Sequence, residues 1–171
     1  MHSAPWLLGF EILGLLASCQ HLEKSETQPT LPVASAAPSV QSPIVTLGQT
    51  AELPSYRAKL VSQRDCAEAS AVQNRRATRT WAAELEITNT GTEPLAVNPF
   101  YASLQDDQKY SYTTSLRGCT PLLPAKLLVP KETVRGYVPF ELPRAVPNVT
   151  LSYQPVMRGS EYQVARFRIE L

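Results

Sequence analysis

The chain has 171 residues, with 16 Lys and Arg against 15 Asp and Glu and a formal net charge of +1. So even a balance lacks the basic excess with which nucleic-acid binders hold phosphate, so nucleic acid is not an expected partner. The length suits one domain around one core, in the range where roughly two-thirds of the unfolded surface is buried.

Residues 1–18 read as a leader. Trp6 to Leu16 (WLLGFEILGLL) is an apolar run of signal-peptide length, too short to span a bilayer as a helix. It ends in Leu16-Ala17-Ser18-Cys19, which resembles a bacterial lipobox. The resemblance implies cleavage after the small residues Ala17 and Ser18. It also implies a diacylglyceryl thioether and palmitate on Cys19, the new amino terminus, so that the membrane is reached through a lipid anchor. Two departures stand in the leader: no Lys or Arg precedes Cys19, and Glu11 interrupts the apolar core. More than one acyl chain makes such attachment durable, at about 0.8 kcal/mol per buried methylene. Gln20 follows the cysteine, and by the same resemblance it favours the outer membrane over retention in the inner one.

Residues 19–43 form a Pro/Ser/Ala-rich tract with Pro29, Pro32, Pro38 and Pro43 and no aromatic residue. Such a segment buries too little apolar area to offset the entropy of ordering it, so it is expected to be a disordered tether. As a flexible coil, residues 20–43 would reach about 27 Å root-mean-square.

Residues 44–171 alternate with period two, the mark of half-buried strands. Trp81, Ala83, Leu85 and Ile87 share one face, as do Val134, Gly136, Val138, Phe140 and Leu142, and Ala165, Phe167, Ile169 and Leu171. Tyr56-Ala58-Leu60, Val149-Leu151-Tyr153 and Tyr110-Tyr112 are shorter runs. Residues 95–104 read as a strand bent at Pro99, which removes a ladder donor. Turns are expected at 89–91, 106–108, 130–132, 143–147 and 158–160, and a helical turn at 66–74. About seven to nine strands at this spacing predict an all-β antiparallel sandwich.

The ordered pieces Ile87-Thr-Asn-Thr-Gly-Thr-Glu-Pro-Leu-Ala-Val-Asn-Pro, Leu104-Gln-Asp-Asp-Gln-Lys-Tyr, Val129-Pro-Lys-Glu and Gly136-Tyr-Val-Pro-Phe-Glu-Leu-Pro carry a resemblance. Over residues 56–171 the chain resembles a bacterial extracellular family of unknown function. Its members have an immunoglobulin-like sandwich related to a mycobacterial secreted immunoprotective antigen. The resemblance implies fold and location, and brings no activity, cofactor or site residue. The same positions make sense without it. Asn89 and Gly91 tolerate the positive φ of a tight hairpin, Gly136 faces inward where a neighbouring chain or the Trp81 ring comes close, and Pro139 suggests an edge or a bulge.

With Cys19 lipidated, Cys66 and Cys119 remain as a pair for one disulfide in an oxidising compartment. The order Cys66, Trp81, Cys119 is superficially that of immunoglobulin domains. Cys119, however, sits in loop chemistry (Leu116-Arg117-Gly118 before, Thr120-Pro121 after), so a bridge tying two loops is expected.

Both histidines, His2 and His21, precede the domain, and no nucleophile elbow, phosphate loop or C-x-x-C occurs. No catalytic residue, metal or cofactor is expected. Asp106 and Asp107 lack the spaced carboxylates of a calcium loop and read as a solvated turn. Two groups remain as a possible binding surface. Tyr101, Tyr110 and Tyr112 would offer a stacking platform, and Arg75, Arg76 and Arg79, with Arg57, Lys59 and Arg64 nearby, a basic cluster that reads first as a solvated face. The expected function is a non-catalytic binding or structural module in the cell envelope, contacting an envelope protein or polymer. The alternative is a ligand- or glycan-binding lipoprotein with a tyrosine-lined site.

Overall fold

Period-two segments become strands wherever one face finds a facing layer to cover it. The computed structural model describes residues 39–66, 78–156 and 162–171, and these contain eleven strands and one 3-10 turn. Five strands form one sheet in the order β1 (Ser39–Val45), β11 (Tyr162–Glu170), β10 (Asn148–Tyr153), β6 (Ala102–Asp106) and β7 (Ser111–Thr113). Four form the facing sheet, β2 (Thr50–Glu52), β3 (Tyr56–Asp65), β4 (Thr78–Asn89) and β9 (Thr133–Pro143). β5 (Leu95–Val97) and β8 (Lys126–Leu128) pair as a separate ribbon. Every pairing is antiparallel except that of β1 beside β11.

The core lies between the sheets, built from the alternating residues: Tyr56, Ala58 and Leu60, Trp81 to Ile87, Val138 to Leu142, Val149 to Tyr153, and Ala165 to Ile169. Leu95, Val97 and Leu128 join it from the inner face of the ribbon. Tyr56 links the layers. From β3 its hydroxyl donates toward the carbonyls of Tyr153 and Gln163 and accepts from the Ala165 N–H. Burial pushes its phenol far above the ordinary range.

The strands number eleven rather than seven to nine, because short pieces the pattern merged are separate. The run 95–104 is one such case. Asn98 caps a 3-10 turn at Pro99–Tyr101 by accepting from the Phe100 N–H, so β5 goes to the ribbon and β6 to the five-stranded sheet. The folded unit also begins earlier than residue 44. Ser39–Pro43 are part of β1, where the register shifts between Gln41 and Ile44. At that irregularity Ser42 Oγ accepts from the Arg166 N–H, so the missing donor of Pro43 does not break the pairing. The Asn89–Gly91 segment is no hairpin, and neither residue has positive φ. Asn89 is instead buried, its amide donating to the carbonyls of Glu93 and Leu128 and its Oδ1 accepting from the Gly91 N–H.

Gly136 behaves as expected. A Cβ there would lie 2.5 Å from the Leu123 nitrogen, because residues 121–123 run beside β9 at that point. Pro139 lies on β9, the outer strand of its sheet, whose edge is covered by bridges at Thr114–Phe140 and Leu122–Tyr137. Covering an edge this way removes a template for pairing with another chain.

Candidate functional site

The disulfide joins Cys66, just past β3, to Cys119 in the segment between β7 and β8, with Cα atoms 5.0 Å apart. It packs with Ala82 and Tyr137 on the outer side of the four-stranded sheet, while Trp81, one residue away on β4, faces the core. The bridge is therefore a clasp holding a loop to a sheet, unlike the inter-sheet bond of immunoglobulin domains. Gly118 makes room for it, with φ +131° and a virtual Cβ 2.8 Å from the Thr80 methyl and 3.1 Å from Cys66 Sγ. Arg64 closes over the same spot, its guanidinium 4.4 Å from the Tyr137 ring centroid, with Nε donating to Cys119 Sγ and another N–H to the Thr120 carbonyl.

The tyrosine platform is smaller than expected. Asp106 ends β6, and its Oδ1 accepts from the N–H groups of Gln108 and Tyr110, folding the hairpin into β7. Tyr110 and Tyr112 then stand together, ring centroids 5.1 Å apart, with Tyr110 65% exposed. Tyr112 donates to Asp106 Oδ2, and removal from water together with this bond pushes its phenol up to about 12. Tyr101 is not part of this pair. It precedes β6, three positions or about 10 Å along the strand from Leu104, the partner of Tyr112, and packs against the core. Beside the hairpin, Asp107 pairs with Arg168 at 3.0 Å and accepts from Asn148.

The basic cluster also disperses. Arg79 shares the inward face of β4 with Trp81, and its guanidinium lies 3.7 Å from Asp65. Arg57 and Arg64 stand seven positions apart on β3, about 23 Å along the strand. Arg75 and Arg76, the helical turn at 67–74, the turn at 158–160, the leader motif Leu16-Ala17-Ser18 and Cys19 all lie outside the described residues. On the outer face of the four-stranded sheet, Arg135 grips Glu84 with two N–H donors at 2.8 and 3.0 Å, and Ser62 donates to the same carboxylate. These bonds, that from Arg135 foremost, hold Glu84 below the ordinary carboxylate range.

Among the described residues no three His, Cys, Asp or Glu side chains converge as metal ligands, and no helix is long and apolar enough to cross a membrane. Sequence reasoning missed the exposed apolar side chains Phe100, Leu127, Val129 and Val156, which stand exposed as Tyr162 does. Alternation could have flagged Leu127 and Val129, which flank the inward Leu128 on opposite sides of a three-residue run.

Residues 48–164 match the family model described as Domain of unknown function (DUF4352). Among solved structures, a candidate lipoprotein, ycdA of Bacillus subtilis, is 17% identical, with a TM-score of 0.59 over 71% of this chain and 38% of that one. This chain thus spans well under half the length of that protein. The yjhA protein of Bacillus subtilis is 15% identical, covering 72% of this chain and 99% of that one, with a TM-score of 0.53. The secreted protein MPT63 of Mycobacterium tuberculosis also matches, at 14% identity, 80% and 100% coverage and a TM-score of 0.49. No curated protein matches the chain.

Proposed function

This chain belongs to the DUF4352 family, and from that premise we propose that it is an exported, lipid-anchored envelope protein whose sandwich is a non-catalytic binding or structural module. The observation that carries the reading is the use of three cysteines. Two are joined in the domain, which suits an oxidising compartment, and the third ends an apolar leader in a lipobox-like motif. The description of ycdA as a candidate lipoprotein supports the same location. By resemblance, Gln20 after the anchor cysteine favours the outer membrane. The partner is an envelope protein or polymer. Fractionation of cells making wild type and Cys19→Ala, with lipid labelling, tests this. Label and membrane attachment should both vanish in the variant; identical distribution without label in either chain would overturn the anchor.

A second reading has one observation in its favour, the exposed Tyr110 ring beside Tyr112, whose hydroxyl is held by the Asp106 carboxylate. Aromatic faces beside polar groups suit sugar rings. Under this reading Tyr110→Ala abolishes retention of the protein on envelope glycans; unchanged retention would remove it.

A further inference from the structure

Of the nine exposed large apolar side chains among the described residues, Phe100, Leu127, Val129, Val156 and Tyr162 lie toward the end of the sandwich where β1 begins, and Ile44, Leu47, Tyr110 and Leu116 lie elsewhere. Ser39, the first residue of β1, pairs with Tyr162, the first of β11. Next across the sheet, β10 ends at Tyr153 opposite Ala102, and the Gln154 N–H donates to the Tyr101 carbonyl. This sets Val156, Phe100 and Tyr162 along the same rim as the chain entry. The turn that carries Phe100 is continuous with β5, whose partner β8 is followed by Val129. Leu128 is fully buried, so Leu127 and Val129 project from the side of the ribbon that faces away from the core. Phe100, Leu127, Val129, Val156 and Tyr162 are each more than half exposed. The far end of the same sheet carries Asp106, Asp107, Lys109 and Arg168 around the exposed Tyr110, while on the rim Lys126 and Glu132 are paired with each other beside Leu127 and Val129.

We propose that this rim is a membrane-docking surface, seating Phe100, Leu127, Val129, Val156 and Tyr162 in the lipid interface and turning the Asp106–Tyr110 hairpin outward. The proposal rests on the lipid anchor at Cys19. Residues 20–38 are all that separates Cys19 from Ser39, so a lipidated Cys19 keeps the rim at a high effective concentration relative to the bilayer. Under those conditions even a weak apolar contact stays occupied, and the aromatic Phe100 and Tyr162 suit the boundary between headgroups and acyl chains. The lipid surface is the occupant the connectivity selects, because the described chain begins at Ser39, paired with Tyr162 on this rim.

The test uses the full lipidated protein in vesicles of phosphatidylethanolamine and phosphatidylglycerol with brominated acyl chains. Processing removes Trp6, leaving the buried Trp81 as the internal reference. Phe100→Trp should lose most of its added emission to the bromines, and Val156→Trp likewise, while Tyr110→Trp keeps its own. Intact Trp81 emission and an intact disulfide show that each variant is folded. Protein that floats with the vesicles but is unquenched at positions 100 and 156 overturns the docking and leaves the anchor standing. Protein that fails to float removes both. A dimer that forms in detergent and is abolished by Leu127→Asp would assign the rim to a second copy, and so would also overturn the proposal.

Discussion

Single residues set the tightest limits on this fold. Gly136 lies where the 121–123 segment touches β9, and a methyl group there would meet the Leu122 carbonyl at 2.6 Å as well as the Leu123 nitrogen. Backbone on both sides cannot yield cheaply, so Gly136→Ala should cost about 2 kcal/mol or more, as overpacking does. A lowered urea midpoint with an unchanged slope would show it; an unchanged midpoint would mean that the segment moves freely. Tyr56→Phe keeps the ring and removes the hydroxyl, stranding the buried Ala165 N–H. A loss of about 1–3 kcal/mol is expected by the same measurement. The inward position of Tyr56 was legible from Tyr56-Ala58-Leu60, but its three hydrogen-bond partners lie about a hundred residues away, beyond any local pattern.

At the level of elements, the cross-strand pair of Glu84 on β4 and Arg135 on β9 ties stability to pH. The folded pKa of Glu84 is depressed, so its contribution is present above the unfolded value of about 4.3 and is lost as pH falls through the folded one. Glu84→Gln should therefore flatten the acid limb of a urea-midpoint profile while leaving its shape near neutral pH alone. A profile identical to wild type would show that the pair contributes nothing. The long strands β4, β9 and β11 were readable because their alternation persists over many residues. β2, β5, β7 and β8 are three residues each, too short to show a period, and neighbours rather than propensity assign them to sheets. Pro99 was read correctly as an interruption and wrongly as a bend, since the Asn98 cap that makes it a turn depends on where β6 must pair.

For the molecule as a whole, the disulfide closes a sequence separation of 53 residues. In the chain-entropy model that stabilises the fold by about 4 kcal/mol, a difference to be read between oxidised and reduced protein in urea unfolding. Non-reducing mass spectrometry should find Cys66 joined to Cys119, and two alkylatable thiols in the folded protein would contradict the structure. By itself the sequence determined the all-β character, the inward residues of the long strands and the pairing of the two domain cysteines, because each depends on neighbours within a few residues or on a count. Only the tertiary structure decided the sheet order, the outward position of the disulfide, the separation of Tyr101 from Tyr110 and Tyr112, and the exposed apolar side chains near the start of β1. Those arrangements come from pairing between segments far apart in the chain. There a side chain's surroundings are set by whichever strand lies opposite it, and local alternation carries no record of that choice.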